Sequence, residues 1–109
     1  MLSTAKVCRW ASTGPLGVAA LSGGHVAICD CDPVGANRVV VLRADSGTHV
    51  RDIYEGGGGR FDGPSGVCGA SGGLMAVCEF GRHCVTVMRE SGAIVRTIGG
   101  KGVVRYGTF

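Results

Sequence analysis

The sequence has little charge, few aromatic rings, almost no proline and no long run free of glycine. Of its 109 residues, 17% are charged, 6% are aromatic and three are proline. Each shortage excludes something. Scarce proline, with no three-residue glycine period, excludes a collagen helix. After Met1–Thr13, no glycine-free run is longer than Ala36–Ser46. An interior glycine costs a helix about 1 kcal/mol, so a helical bundle has nowhere to sit. No stretch reaches the roughly 18 continuous apolar residues of a membrane-spanning helix. Disorder is excluded as well, because 45% of the residues are hydrophobic and the net charge is only +3.

Glycine is abundant instead, at 21 residues, far above the usual share of about 7%. A turn-rich chain of short strands is what remains. Charge is unevenly spread: residues 1–29 sum to +2, residues 30–79 to −3 and residues 80–109 to +4. Nine of the eleven basic residues are arginine, which suits planar contact with phosphate or carboxylate. The basic density falls short of a nucleic-acid stripe. Six cysteines fit a disulfide scaffold only in an extracellular setting. The segment after Lys6 and Arg9 is a poor signal peptide, because Gly14, Pro15 and Gly17 interrupt its apolar part. A cytoplasmic location is expected.

The strongest feature is an internal repeat. Gly14-Pro-Leu-Gly-Val18 recurs as Gly63-Pro-Ser-Gly-Val67, and Val26-Ala-Ile-Cys-Asp30 as Met75-Ala-Val-Cys-Glu79, both 49 residues on. Asn37–Arg43 matches His83–Arg89 at an offset of 46, and Ser46-Gly47 matches Ser91-Gly92 at 45. Val50–Ile53 matches Val95–Ile98 at 45, and Phe61 matches Phe109 at 48. The offset shifts only in expected loops, where insertions are tolerated.

Each unit reads as four short strands. In the first they are expected at Leu16–Ala20, His25–Asp30, Arg38–Arg43 and Thr48–Tyr54; in the second at Ser65–Gly69, Leu74–Glu79, His83–Arg89 and Ala93–Ile98. Ser22-Gly-Gly24, Ser71-Gly-Gly73 and the two Ser-Gly pairs are turns that exploit positive φ at glycine. Four hairpin-linked strands at a period in the mid-forties describe a β-propeller blade.

The second unit carries Phe61-x-x-Pro64-x-Gly66-Val67, Ala76-Val77-Cys78-Glu79, His83-x-Val85-x-Val87 and Gly92-x-x-Val95-Arg96-Thr97-Ile98-Gly99. This pattern closely resembles the NHL repeat. The resemblance implies an all-β fold of two four-stranded antiparallel propeller blades, an incomplete propeller. Residues 1–9 are then an N-terminal extension, 10–60 the first blade, 61–105 the second, and 106–109 the start of a third repeat. The first unit departs by the insert Cys31–Ala36 and by lacking the histidine, while His83-Cys84 keeps the histidine and loses the arginine. Propellers close with about four to eight blades. The chain is therefore expected to be part of a longer propeller, a unit that self-associates to complete one, or a marginal two-blade sandwich.

The functional expectation is a non-catalytic scaffold that binds protein partners through loops on one rim. Single-stranded RNA bound through basic rim residues is the second binding role. The competing class is a metal-dependent propeller lyase or hydrolase, which needs channel histidines or carboxylates from several blades. Candidate partner-binding residues are Asn37, Arg38, Arg60, Arg82, His83 and Arg105, with Asp32, Glu55 and Lys101 nearby; Tyr54 and Phe80 are the rim's aromatic residues. No catalytic residue, metal ligand or cofactor is assigned. Cys29-x-Cys31 lacks the paired spacing of zinc sites, and Cys29 and Cys78 read as buried small side chains. Gly56–Gly59 lacks the Lys-Ser/Thr of a phosphate loop and reads as a flexible loop between blades. Asp30 and Glu79 read as structural acids, bonded to a turn amide or a basic side chain.

Overall fold

The computed structural model describes residues 14–31 and 37–100. These form two four-stranded antiparallel sheets in which each strand pairs with its neighbours in sequence. The first sheet holds β1 (Pro15–Ala20), β2 (His25–Cys31), β3 (Asn37–Arg43) and β4 (His49–Ile53). A small hairpin follows, β5 (Glu55–Gly56) and β6 (Gly59–Arg60). The second sheet holds β7 (Pro64–Ala70), β8 (Leu74–Glu79), β9 (Cys84–Arg89) and β10 (Ile94–Gly99). Apolar and β-branched runs make the strands, and glycines at positive φ end them: Gly23 at 80° and Gly72 at 75° occupy equivalent 3-10 turns.

The repeat extends to irregularities. The register slips between Pro15 and Gly17 in the first sheet and between Pro64 and Gly66 in the second. It slips again between Val41 and Leu42, against β4, and between Ile94 and Arg96. Bulges increase local twist, so both sheets are bent at matching places. Two sequence expectations change. Gly56–Gly59 is a paired hairpin, with Glu55 opposite Arg60, because the glycines permit a tight reversal. His83 is the last residue of the β8–β9 turn, not a strand residue; its φ of 55° is incompatible with an extended chain.

The core lies between the sheets. Ala27, Cys29, Val39, Val41 and Ile53 of the first meet Met75, Val77 and Met88 of the second, with Phe61 between them. Fully burying a large aliphatic side chain contributes about 1.5–3 kcal/mol, so this cluster is the main apolar source of cohesion. The alternate residues of the central strand, Val40 and Leu42, are buried on the opposite face. β7 runs beside β1 and β2. The approach is so close that a Cβ added at Gly69 would lie 2.7 Å from the Ala20 carbonyl oxygen.

In the second sheet the residues equivalent to the first sheet's core face are Ala76, Cys78, Val85, Val87 and Ile98, by the offsets above. They point away from the first sheet and are exposed or half-buried; Ile98 is 53% exposed. Cys78 therefore corrects the expectation that it matches Cys29. Cys29 is buried because the second sheet covers it, and Cys78 is exposed because its side of the second sheet is bare among the described residues.

The contrast between two glycines checks this packing. Gly69→Ala is expected to lower stability by roughly 1–3 kcal/mol through overpacking. Gly66→Ala, whose added Cβ meets nothing within 4 Å, should cost less. Urea denaturation midpoints measure both.

Candidate functional site

The loops at one end of both sheets converge on a rim, and two buried carboxylates organise it. In the second sheet, Glu79 ends β8 with its side chain fully buried. Its Oε1 accepts from the Asp62 backbone N–H at 3.1 Å and from Arg82 Nε at 3.1 Å. Its Oε2 accepts from Thr86 Oγ1 at 2.9 Å and from Cys84 Sγ at 3.6 Å. The β5–β6 hairpin closes over it: Gly57 N–H donates to Thr86 Oγ1 at 3.3 Å. A Cβ at Gly56 would come 2.7 Å from Glu79 Oε2, so only glycine allows that approach.

The first sheet repeats the device with Asp30. Its Oδ1 accepts from the Gly14 backbone N–H at 3.0 Å, and its Oδ2 from Arg38 Nε at 2.9 Å. Arg38 also donates to Asp52 at 3.1 Å, and Asp52 takes further contacts from His49 at 2.8 Å and the Tyr54 hydroxyl at 3.2 Å. Burial works against the Arg38 charge, but the hydrogen bond to Asp30 and its other partners raise the guanidinium above its ordinary value. Burial likewise opposes the Asp52 charge, yet His49 and Arg38 hold its carboxyl below the usual value. The expected structural role of Asp30 and Glu79 is what the geometry shows: each bonds both a turn amide and an arginine.

The six candidate residues have different situations. Asn37 Oδ1 accepts from the Gly63 N–H at 3.0 Å and from Cys31 Sγ at 3.6 Å, so it braces the crossing between the sheets. Arg38 is tied into the Asp30–Asp52 network. Arg82 is partly committed, to Glu79 and, at 2.6 Å, to the Arg60 carbonyl. Arg60 is exposed, its guanidinium 5.3 Å from the centre of the Tyr54 ring. His83 is exposed, 6.4 Å from the Phe80 ring. Arg105 lies outside the described residues, as do Asp32 and Lys101. The most exposed aromatic ring of the rim is Phe80, at 75%, and Tyr54 is at 41%. The same end holds an open cleft of about 410 Å³, lined by Gly57, Gly58, Asp62, Arg82, Cys84 and Thr97 among others.

The chemistry of the cleft is restrained. Burial, then the neighbouring Glu79 charge, pushes the Cys84 thiol up. Burial pushes Cys29 up to about 12, with Cys78 and Cys31 adding to it. Both remain thiols at neutral pH, and the thiolate is the nucleophile. The Glu79 carboxylate already accepts four bonds, so it is a brace and not a free base. Among the described residues, no three metal-ligating side chains converge, none of the five described cysteines is disulfide-bonded, and no helix is long and apolar enough to cross a membrane. Compared with known proteins, the chain matches no protein-family model and no curated protein.

Glu79→Gln is expected to lower stability by roughly 1–3 kcal/mol, because it replaces a charged acceptor for Arg82 with a neutral amide. Chemical denaturation measures it. Asp52 predicts a pH dependence. Its folded pKa is depressed, so its contribution is complete above its unfolded value, about 3.9. That contribution is lost as pH falls through the lower folded value. Stability measured down an acid series should decline less steeply in Asp52→Asn.

Proposed function

We propose that the two sheets are consecutive blades of an NHL-like β-propeller and that the chain is a non-catalytic interaction module. Its rim loops bind a protein partner. Three features support the blade reading: the repeated motif, the sequential four-strand order of each sheet, and the matching bulges. The observation that carries the binding reading is the pair of exposed rim aromatics, Phe80 beside His83 and Tyr54 under Arg60. A protein hot spot combines exposed aromatic rings with arginine, and this end of the molecule offers both. Most of the other charges at the rim are already bonded internally, which favours an aromatic anchor over a charge-only contact. It also favours protein over single-stranded RNA, which needs both a basic track and rings for base stacking.

Peptides selected from a display library against the chain test the reading. Phe80→Ala is expected to weaken the selected binders by more than about tenfold, as loss of an anchor does. Arg89→Ala, at the far end of the second sheet, should leave them unchanged. Binders indifferent to both Phe80→Ala and Tyr54→Ala overturn the rim as the binding surface. Tight, salt-dependent binding of single-stranded RNA, lost in Arg60→Ala, overturns the protein-first reading.

A further inference from the structure

The bare face of the second sheet has a known counterpart in the same molecule. Ala76, Cys78, Val85, Val87 and Ile98 stand where Ala27, Cys29, Val39, Val41 and Ile53 stand in the first sheet, and the latter are covered by a four-stranded sheet. The covering sheet brings a charge as well as an apolar face. Glu90, in the β9–β10 turn, receives Arg51: the guanidinium donates to the Glu90 carbonyl at 3.2 Å and lies 3.7 Å from its carboxylate. His25 contacts the same carboxylate. The repeat equivalent of Arg51 is Arg96, which is exposed on the bare face. The equivalent of Glu90 is Asp45, exposed in the β3–β4 turn of the first sheet and paired with Arg43 at 3.1 Å.

On the other face of the first sheet Val40 and Leu42 are already buried, and the matching apolar surface still open lies along β1 and β2. Leu16 and Val18 are 59% and 67% exposed there, and Val26 and Ile28 are half-buried. Their equivalents in the second sheet include Val67, Met75 and Val77, three residues that pack on the first sheet.

We propose that the bare face of the second sheet takes the first sheet of another copy of this chain, with Arg96 of one copy against Asp45 of the next. The contact is head-to-tail, the kind that propagates until a ring closes. Each copy adds two blades, so rings of about two, three or four copies give four, six or eight blades, the range in which propellers close. The inference rests on the blade reading above but not on the rim as a binding surface.

Sedimentation analysis of the 109-residue chain at high micromolar concentration tests it. The expected result is a discrete species of two to four copies, a multiple of 11.1 kDa. Arg96→Glu and Asp45→Arg, each alone, should weaken association by about tenfold or more. Arg96→Glu combined with Asp45→Arg should restore it to within about threefold of the parent. In the assembled state Cys78 should react with a thiol reagent about tenfold more slowly than in the dissociated Arg96→Glu chain. Both variants change exposed residues, and an unchanged circular dichroism spectrum shows that they fold. A monomer at all concentrations overturns the proposal, as does an oligomer indifferent to either charge reversal or not restored by the pair. A monomer whose peptide binding still depends on Phe80 overturns this inference alone. A Gly69→Ala chain as stable as the parent removes the blade packing itself.

Discussion

A carboxylate taken out of water at the end of the second strand constrains each half of this molecule. Burying an ionised carboxylate is costly unless donors replace the lost water. Glu79 is satisfied by the backbone entering its sheet at Asp62, the turn residue Arg82, and Thr86 and Cys84 of the next strand. Four segments must therefore be in place together. Asp30 imposes the same condition on the first sheet through Gly14 and Arg38. The crossing between the sheets, the β8–β9 turn and the β5–β6 hairpin all take their positions from these bonds. The rim is ordered from beneath, and what it exposes is what the carboxylates have not used.

The second organising fact is an asymmetry between two nearly identical faces. One unit's strand pattern presents small and β-branched side chains to its neighbour, and the first sheet finds that neighbour within the chain. The second sheet presents the same pattern outward. Equivalent residues thus have opposite surroundings, and Cys29 and Cys78 show it most plainly, one buried and one exposed. Contiguous exposed apolar surface of this kind marks an interaction site more often than a solvated face. It repeats, with Arg96 in the place of Arg51, the residue pattern that the first sheet buries against the second.

Much of the architecture was legible in the residues. All eight main strands fall within one residue of expectation at each end, because turn glycines and the alternation of apolar side chains are local signals. The structural role of Asp30 and Glu79 was legible from their recurrence at one position. The candidate site was less so. Asn37 and Arg38 read as rim residues, and they do lie at that end, but their bonds to Gly63, Asp30 and Asp52 come from chain segments up to 26 residues away. In the sequence Gly56–Gly59 reads as a flexible loop, because four glycines carry no strand signal. Only its seat over Glu79 and Thr86 orders it.

The sequence by itself determined the repeat, the strands, the turns and the all-β class, since these depend on φ preferences and on side chains a few residues apart. The tertiary structure decided which of two like faces is covered, which of two like cysteines is buried and which rim charges are already committed. Those outcomes depend on contacts between residues distant in the chain. A repeating sequence specifies the same surface twice, and only the packed molecule shows which copy of it still faces water.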